Sequence, residues 1–323
     1  MTRYILSRLF QAMLLLVGVS LVSFTIMLVS PGGPTDFLID SSSLTGEQLE
    51  AIQIAYGLDR PIPVQYWNWI SRVVRGDFGF SFHTGQPVLE MILERLPATL
   101  VLNLLGMIAI YLIAIPAGVI SAVKQYSVFD YFVTVVTFLG QAMPAFWLAL
   151  LLIYYVGLNV SWLPLSGMAT FGIDYGGVSF GVWLNDRARY LVLPLTVVVL
   201  TGLAALTRFT RASMLDVIHQ DYIRTARAKG LSEGRVIVRH ALKNAILPII
   251  TLVGITFAGL LSGSVVIERI FSWPGVGQLA IDSILKRDYQ VVMAFNLLGA
   301  FMVITGSFLA DMLYLLADPR IKY

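Results

Sequence analysis

Long stretches without charge alternate along this chain with stretches that hold all its charged residues. Six charge-free runs stand out: Leu9 to Val29, Ala98 to Val123, Tyr131 to Gly157, Tyr190 to Thr207, Ala245 to Ile267 and Val291 to Ala310. Each approaches or exceeds the ~20 helical residues that cross a hydrocarbon core about 30 Å thick. Strand-type alternation is absent from them, and a barrel would need many segments of about ten residues. Six buried helices of a soluble protein would need far more amphipathic sequence around them than this chain has. The pattern therefore predicts an all-α membrane protein with six transmembrane helices. The first run exceeds the roughly 7–15 apolar residues of a signal peptide, and five more follow, so a retained first helix is expected.

Composition agrees with that reading: 57% of the 323 residues are hydrophobic and 13% charged, where soluble domains carry about 25% charge. There is no cysteine, which removes disulfides and thiolate metal ligands. The three histidines, His83, His219 and His240, are scattered, and no metal site is expected. The basic excess of +3 is informative through its placement rather than its total.

That placement orients the spans. One side carries Arg3 and Arg8, Lys124, the segment Arg208 to Asn244, and finally Arg320 and Lys322; the Arg208 to Asn244 segment has eight basic residues against three acidic ones. The other side begins with the segment after Ser30, where Asp36, Asp40, Glu47, Glu50, Asp59, Asp77, Glu90 and Glu94 outnumber four arginines. The positive-inside rule makes both termini cytoplasmic. The expected organisation is a cytoplasmic N-terminus and first helix over 1–29 and an external segment over 30–97. A five-helix core over 98–317 contains the cytoplasmic loop 208–244, and a tail covers 318–323.

The external segment has helical signals of its own. Thr45 with Gln48 forms a capping-box pattern ahead of Leu49, Ile52, Ala55 and Tyr56, and Gly57 ends the run. A second amphipathic helix, Tyr66 to Arg75, places Trp67, Ile70 and Val74 on one face. Both are expected on the outer membrane surface, and two readings stay open: a platform for an external partner, or a cap over the helix ends.

In the cytoplasmic loop, Asp221-Tyr-Ile-Arg-Thr-Ala-Arg-Ala-Lys-Gly230 reads as a short helix capped by Asp221 and ended by Gly230 in a left-handed turn, with a second helix from about Glu233 to Lys243. Small residues on one face and arginines on the other suit a wedge into a groove of another protein. The plain alternative is that positive-inside bias alone supplied the arginines.

This loop resembles the EAA-type coupling loop of the membrane subunits of ABC importers, whose general pattern runs Glu-Ala-Ala-x-x-x-Gly and closes on Ile-x-Leu-Pro. Anchored on Gly230, the Glu position falls at Arg224, the Ala positions at Thr225 and Ala226, and the closing Pro at Lys243. Those departures match the variant of dipeptide and oligopeptide permeases, here Tyr222 to Leu231 and Arg239 to Ala245. The likeness extends through Gly57-Leu-Asp-Arg-Pro61, Gly76-Asp-Phe-Gly79, Arg95-Leu-Pro-Ala-Thr-Leu100 and Trp162-Leu-Pro-Leu-Ser-Gly167. It ends with Glu268-Arg-Ile-Phe-Ser-Trp-Pro-Gly-Val-Gly277 and Asp311-Met-Leu-Tyr-Leu-Leu-Ala-Asp-Pro-Arg320.

Together these motifs are similar to the B-type permease of the dipeptide/oligopeptide (peptide/nickel) ABC importer family. The resemblance implies a type I importer fold in a bacterial or archaeal cytoplasmic or inner membrane. It implies a heterodimer with a homologous C-type permease, two ATP-binding subunits inside, and a substrate-binding protein outside. On that likeness Asp221, Tyr222, Arg224, Thr225, Ala226, Arg227, Ala228, Lys229, Gly230 and Leu231 contact the ATPase. ATP and Mg are expected in those partners and no cofactor in this chain; no nucleic acid is expected.

The residues themselves point away from an enzyme. No Gly-Lys dipeptide of a phosphate-binding loop occurs, and the spans hold no nucleophile beside a base. Polar or helix-breaking residues inside spans, Asn103, Gln141 with Pro144, and Asn296, are the candidates for the translocation pathway; glue between helices, or a kink at the proline, is the alternative. Glu268 and Asp311 read as interfacial. Two other functions remain for comparison: a secondary transporter or channel driven by an ion gradient, which would place ionisable groups near the midplane, and a membrane anchor or scaffold.

Overall fold

The computed structural model describes residues 2–30, 59–173, 176–260 and 265–317. Helix α1 covers Thr2–Val29, α2 Ile62–Val74, α3 Val88–Val123, α4 Val128–Ala142 and α5 Ala145–Leu152, the last continuing as a π-helical turn over Ile153–Gly157. Helix α6 is Phe180–Ile218 and α7 Asp221–Ala228. A mixed run follows, with α8 Glu233–Arg235, π-helical Val236–Leu242 and α9 Lys243–Ala245. Then come α10 Leu247–Ala258, α11 Val265–Ile270, α12 Val276–Leu285 and α13 Tyr289–Ala317. Among the described residues no strand forms, only an isolated bridge between Phe80 and Pro87.

Four helices are long and apolar enough to cross a membrane, within α1, α3, α6 and α13; two bent pairs bring the number to six if each pair counts as one span. The predicted third span is not straight: α4 and α5 meet at 105°. Pro144 caps α5 with φ −58° and ψ 137°, and Met143 before it is extended with ψ 128°, as sterics before proline require. The predicted fifth span, Ala245 to Ile267, starts at a bend of 52°, where Glu233–Ala245, almost all of it in the predicted loop, meets Pro248–Gly254. The helices outrun their charge-free runs because a helix continues past the hydrocarbon edge. Helix α6, 39 residues and so about 58 Å long, takes in Arg208 and Arg211, which had been assigned to the loop. Likewise α3 begins at Val88, inside the segment assigned to 30–97.

The described residues form two compact units, 2–97 with 278–304, and 98–277 with 305–317. In the first, Trp69 of α2 is buried with Phe24, Met27, Met293 and Leu297. Phe24 meets Tyr66 edge-on and stacks on Trp69, and the Tyr66 hydroxyl lies 2.7 Å from Ser20 Oγ. The Tyr66 to Arg75 helix thus exists but starts earlier, and it seats Tyr66 and Trp69 against α1, whereas Trp67 and Val74 are exposed. Ser20 lies about 13 Å from the Val29 end of α1 at 1.5 Å per residue, so α2 packs along the side of α1. The Thr45 to Gly57 helix and the tail 318–323 lie outside the described residues, as does the Asp311 side chain.

In the second unit, a core of Leu102, Leu148, Ala149, Leu193, Val197 and Phe271 joins α3, α5, α6 and α11. A separate cluster of Ala122, Met214, Ile223, Ala226, Val236 and Ala241 carries the segment after α6.

Candidate functional site

Helix α7 starts three residues after α6 ends and is fixed from beneath. Ile223 and Ala226, one turn apart, are buried at 0% and 6% exposure. Between and beyond them Asp221, Tyr222, Arg224, Thr225, Arg227, Ala228, Lys229 and Gly230 are exposed, while Leu231 is half-buried. The spacing explains the division, since positions three apart share a helix face. Of the residues read as contacts for a partner, Ala226 therefore faces the chain's own core. Ile223, unremarked in the sequence, is the anchor of the helix, and its i, i+3 relation to Ala226 was the available signal.

Asp221 does not cap α7: Gln220 occupies the cap position without a side-chain bond, and Asp221 sits in the first turn, where a carboxylate favours the positive end of the helix dipole. The other end matches expectation. Gly230 has φ +76° and donates its N–H to the Arg227 carbonyl at 2.9 Å, the left-handed helix ending that a side chain disfavours.

The turn is stapled by Arg227, whose Nε and Nη2 donate to Glu233 Oε2 and Oε1 at 3.1 and 2.7 Å. That carboxylate holds the Arg227 guanidinium above its ordinary pKa, chiefly through these hydrogen bonds. Asn244 Nδ2 donates to the Tyr222 hydroxyl at 2.9 Å and to the His240 carbonyl at 3.0 Å, tying α7 to the mixed helical run. That run was predicted as a plain α-helix. Its π winding suits the burial of both Val236 and Ala241, since wider turns bring residues five apart towards one face. The result is a rigid, basic, solvent-facing platform on a small apolar base.

The pathway candidates are dispersed. Asn103 Nδ2 donates to the Leu260 carbonyl at 2.7 Å, satisfying backbone where α10 has ended. Gln141 Oε1 accepts from Arg208 Nη2, and Pro144 makes the break beside it. Asn296, in the other unit, donates to Ser23 Oγ at 3.4 Å. The Gln141 and Asn296 contacts are helix-to-helix bonds of the kind that holds a bundle together. Among the described residues, no three of His, Asp and Glu gather as metal ligands.

Residues 114–323 match the family described as binding-protein-dependent transport system inner membrane component, and residues 1–103 match that family's N-terminal region. The chain belongs to this family. It is 43% identical over the whole length of both chains to the oligopeptide transport system permease protein AppB of Bacillus subtilis. It is 37% identical to the dipeptide transport system permease protein DppB of Escherichia coli K12, covering all of this chain and 99% of the relative. The di/tripeptide permease protein DppB of Pseudomonas aeruginosa is 38% identical over 95% of this chain and 94% of its own. The resemblance to the B-type dipeptide/oligopeptide permeases holds over the full length, and the fold is that of a type I importer permease, a multi-pass membrane protein.

Four carboxylates among the described residues are buried, Asp130, Asp186, Glu268 and Asp288, and the sequence marks none of them as such. Glu268, read as interfacial, has 0% exposure: its Oε1 accepts from Thr99 Oγ1 at 2.9 Å, and a Cβ on Gly275 would come within 2.4 Å of its carboxyl. It lies in α11, beyond the charge-free run, where no sequence signal separates a buried carboxylate from a solvated one. Asp130, 3% exposed, opens α4 and is bound bidentately by Arg211.

Proposed function

We propose that this permease forms half of the translocation pathway of an ATP-driven peptide importer and docks its ATPase through α7. Several features support the reading. Tyr222, Arg224, Thr225, Arg227 and Lys229 stand on an exposed face whose opposite side is locked by Ile223 and Ala226, and relatives identical at 37–43% are named as peptide permeases. An exposed basic face on a rigid base suits capture by a groove that carries acidic residues, where charge steers and small side chains permit close approach.

In this account both termini and α7 are cytoplasmic, a homologous C-type permease completes the pathway, and two ATP-binding subunits supply ATP and Mg chemistry. A binding protein delivers substrate from outside. The chain itself catalyses no reaction. Closure of the ATPase pair displaces α7, and α6 passes that displacement to the bundle, exchanging inward-open and outward-open states. An ion-driven mechanism would need a buried carboxylate free to exchange its ion, and the buried carboxylates among the described residues are engaged: Asp130 by Arg211, Glu268 by Thr99, Asp186 by Thr170 and Asp288 by Ser81.

The experiment is affinity purification in mild detergent. Stoichiometric recovery of two nucleotide-binding subunits with this chain is expected; recovery of the chain alone, competent in ion-driven uptake, would overturn the reading.

A further inference from the structure

Arg211 lies on α6 two turns before that helix ends at Ile218 and hands over to α7. Its Nε donates to Asp130 Oδ1 and its Nη2 to Asp130 Oδ2, each at 2.8 Å. A two-point fork fixes orientation as well as distance. The side chains are 27% and 5% exposed, so solvent screens the pair little. Asp130 does more than receive the guanidinium. Its Oδ2 also accepts the Tyr126 N–H at 3.0 Å, and its own N–H donates to Ser127 Oγ at 3.2 Å. Tyr126 is held at φ +63°, a conformation that non-glycine residues adopt at a cost. One carboxylate therefore gathers the turn after α3, the first turn of α4, and α6.

The attachment is repeated along α4. Arg208, one turn before Arg211 on the same face of α6, donates to Gln141 near the far end of α4. Beside it, Gly140 meets the backbone so closely that a Cβ would lie 2.6 Å from the Leu200 carbonyl oxygen. Helix α4 is thus held to α6 at its beginning and at its end, and the chain direction breaks by 105° immediately afterwards.

We propose that Asp130 and Arg211 are positioning residues of transport, the link that makes α4 move as one body with α6 when α7 is displaced. The proposal rests on the reading of α7 as the ATPase docking site. A helix-end ion pair serving folding alone would leave an assembled variant fully coupled; a mechanical link predicts assembly with failed coupling.

This chain lacks cysteine, so Val128→Cys and His219→Cys, both at exposed positions, are its only thiols, and the complex without them is the labelling control. The full complex is reconstituted in proteoliposomes with Asp130→Asn, Arg211→Gln and Arg211→Lys, and uptake per ATP hydrolysed is measured beside the spin-label distance. In the parent complex the 128–219 distance is expected to be the same in nucleotide-free and ATP-trapped states. In Arg211→Gln the ATP-trapped distribution is expected to broaden while uptake per ATP falls about tenfold, a coupling loss of ordinary allosteric size. Arg211→Lys keeps the charge but loses the fork; it should show an intermediate loss, and it decides the matter if Arg211→Gln does not assemble. Uptake per ATP unchanged in Arg211→Lys, or a parent distance that changes between states, would overturn the link. Failure of the ATPase subunits to bind the parent chain would instead overturn the docking reading, so the two failures are distinguishable.

Discussion

Thr99 donates its hydroxyl to the buried Glu268 carboxylate at 2.9 Å while accepting the Val276 N–H at 2.8 Å. One small side chain thus joins α3, α11 and the start of α12. The Trp273 indole donates to the Ala98 carbonyl at 2.9 Å, and the Gly167 N–H donates to the Phe271 carbonyl at 2.7 Å, closing the knot around the Glu268 to Gly277 motif. Substitution Thr99→Val keeps the shape and removes both bonds, leaving buried polar groups short of a partner. The expected cost is about 1–3 kcal/mol, read as a lower unfolding temperature of the purified complex; an unchanged midpoint would refute the structural role.

Gly275 tests the same knot from its other side. A Cβ there would fall 2.4 to 2.5 Å from the carboxyl atoms of Glu268, which sits at 0% exposure. Overpacking of this kind costs about 1–3 kcal/mol. Gly275→Ala should therefore lower expression and thermal stability, and Gly275→Ala combined with Glu268→Ala should recover less than half of the loss, because the carboxylate's own bonds go with it.

Gly230 behaves differently because nothing lies within 4 Å of where its Cβ would be. Its requirement is backbone alone, φ +76°, which costs an L-residue roughly 1–2 kcal/mol. Gly230→Val should leave the membrane core folded, shift the end of α7, and uncouple ATP hydrolysis from uptake in proteoliposomes. Gly230→Asn, a residue that tolerates the left-handed region, should retain much more of the coupling.

Much of this arrangement is legible in the chain itself. The charge-free runs overlap each of the four long apolar helices and both bent pairs, and Gly230 announces its turn. Helix ends were not legible, because α6 carries Arg208 and Arg211 past the apolar stretch without any breaker to stop it. Asp221 was misassigned as a cap since Gln220, which makes no side-chain bond, leaves no signature at that position. Glu268 and Asp130 escaped for a deeper reason: a carboxylate's burial is decided by Thr99 and Arg211, 169 and 81 positions away.

Arg224 separates docking from folding. Its side chain is 75% exposed, and its ion pair with Asp221 is long, at 3.7 Å, with the partner 97% exposed, so it contributes little to the fold. Arg224→Glu should leave the melting temperature of the isolated permease unchanged and weaken recovery of the ATPase subunits severalfold, with the difference from the parent shrinking at higher salt. Equal recovery would move the docking face away from α7.

The account stands most directly on whether this chain transports by itself. Proteoliposomes holding the permease alone, and others holding it with its second permease, ATPase pair and binding protein, can be compared for peptide uptake under an ion gradient and under ATP. The account predicts uptake in the complete assembly with ATP and none from the lone chain under any gradient. Gradient-driven uptake by the lone chain would contradict it.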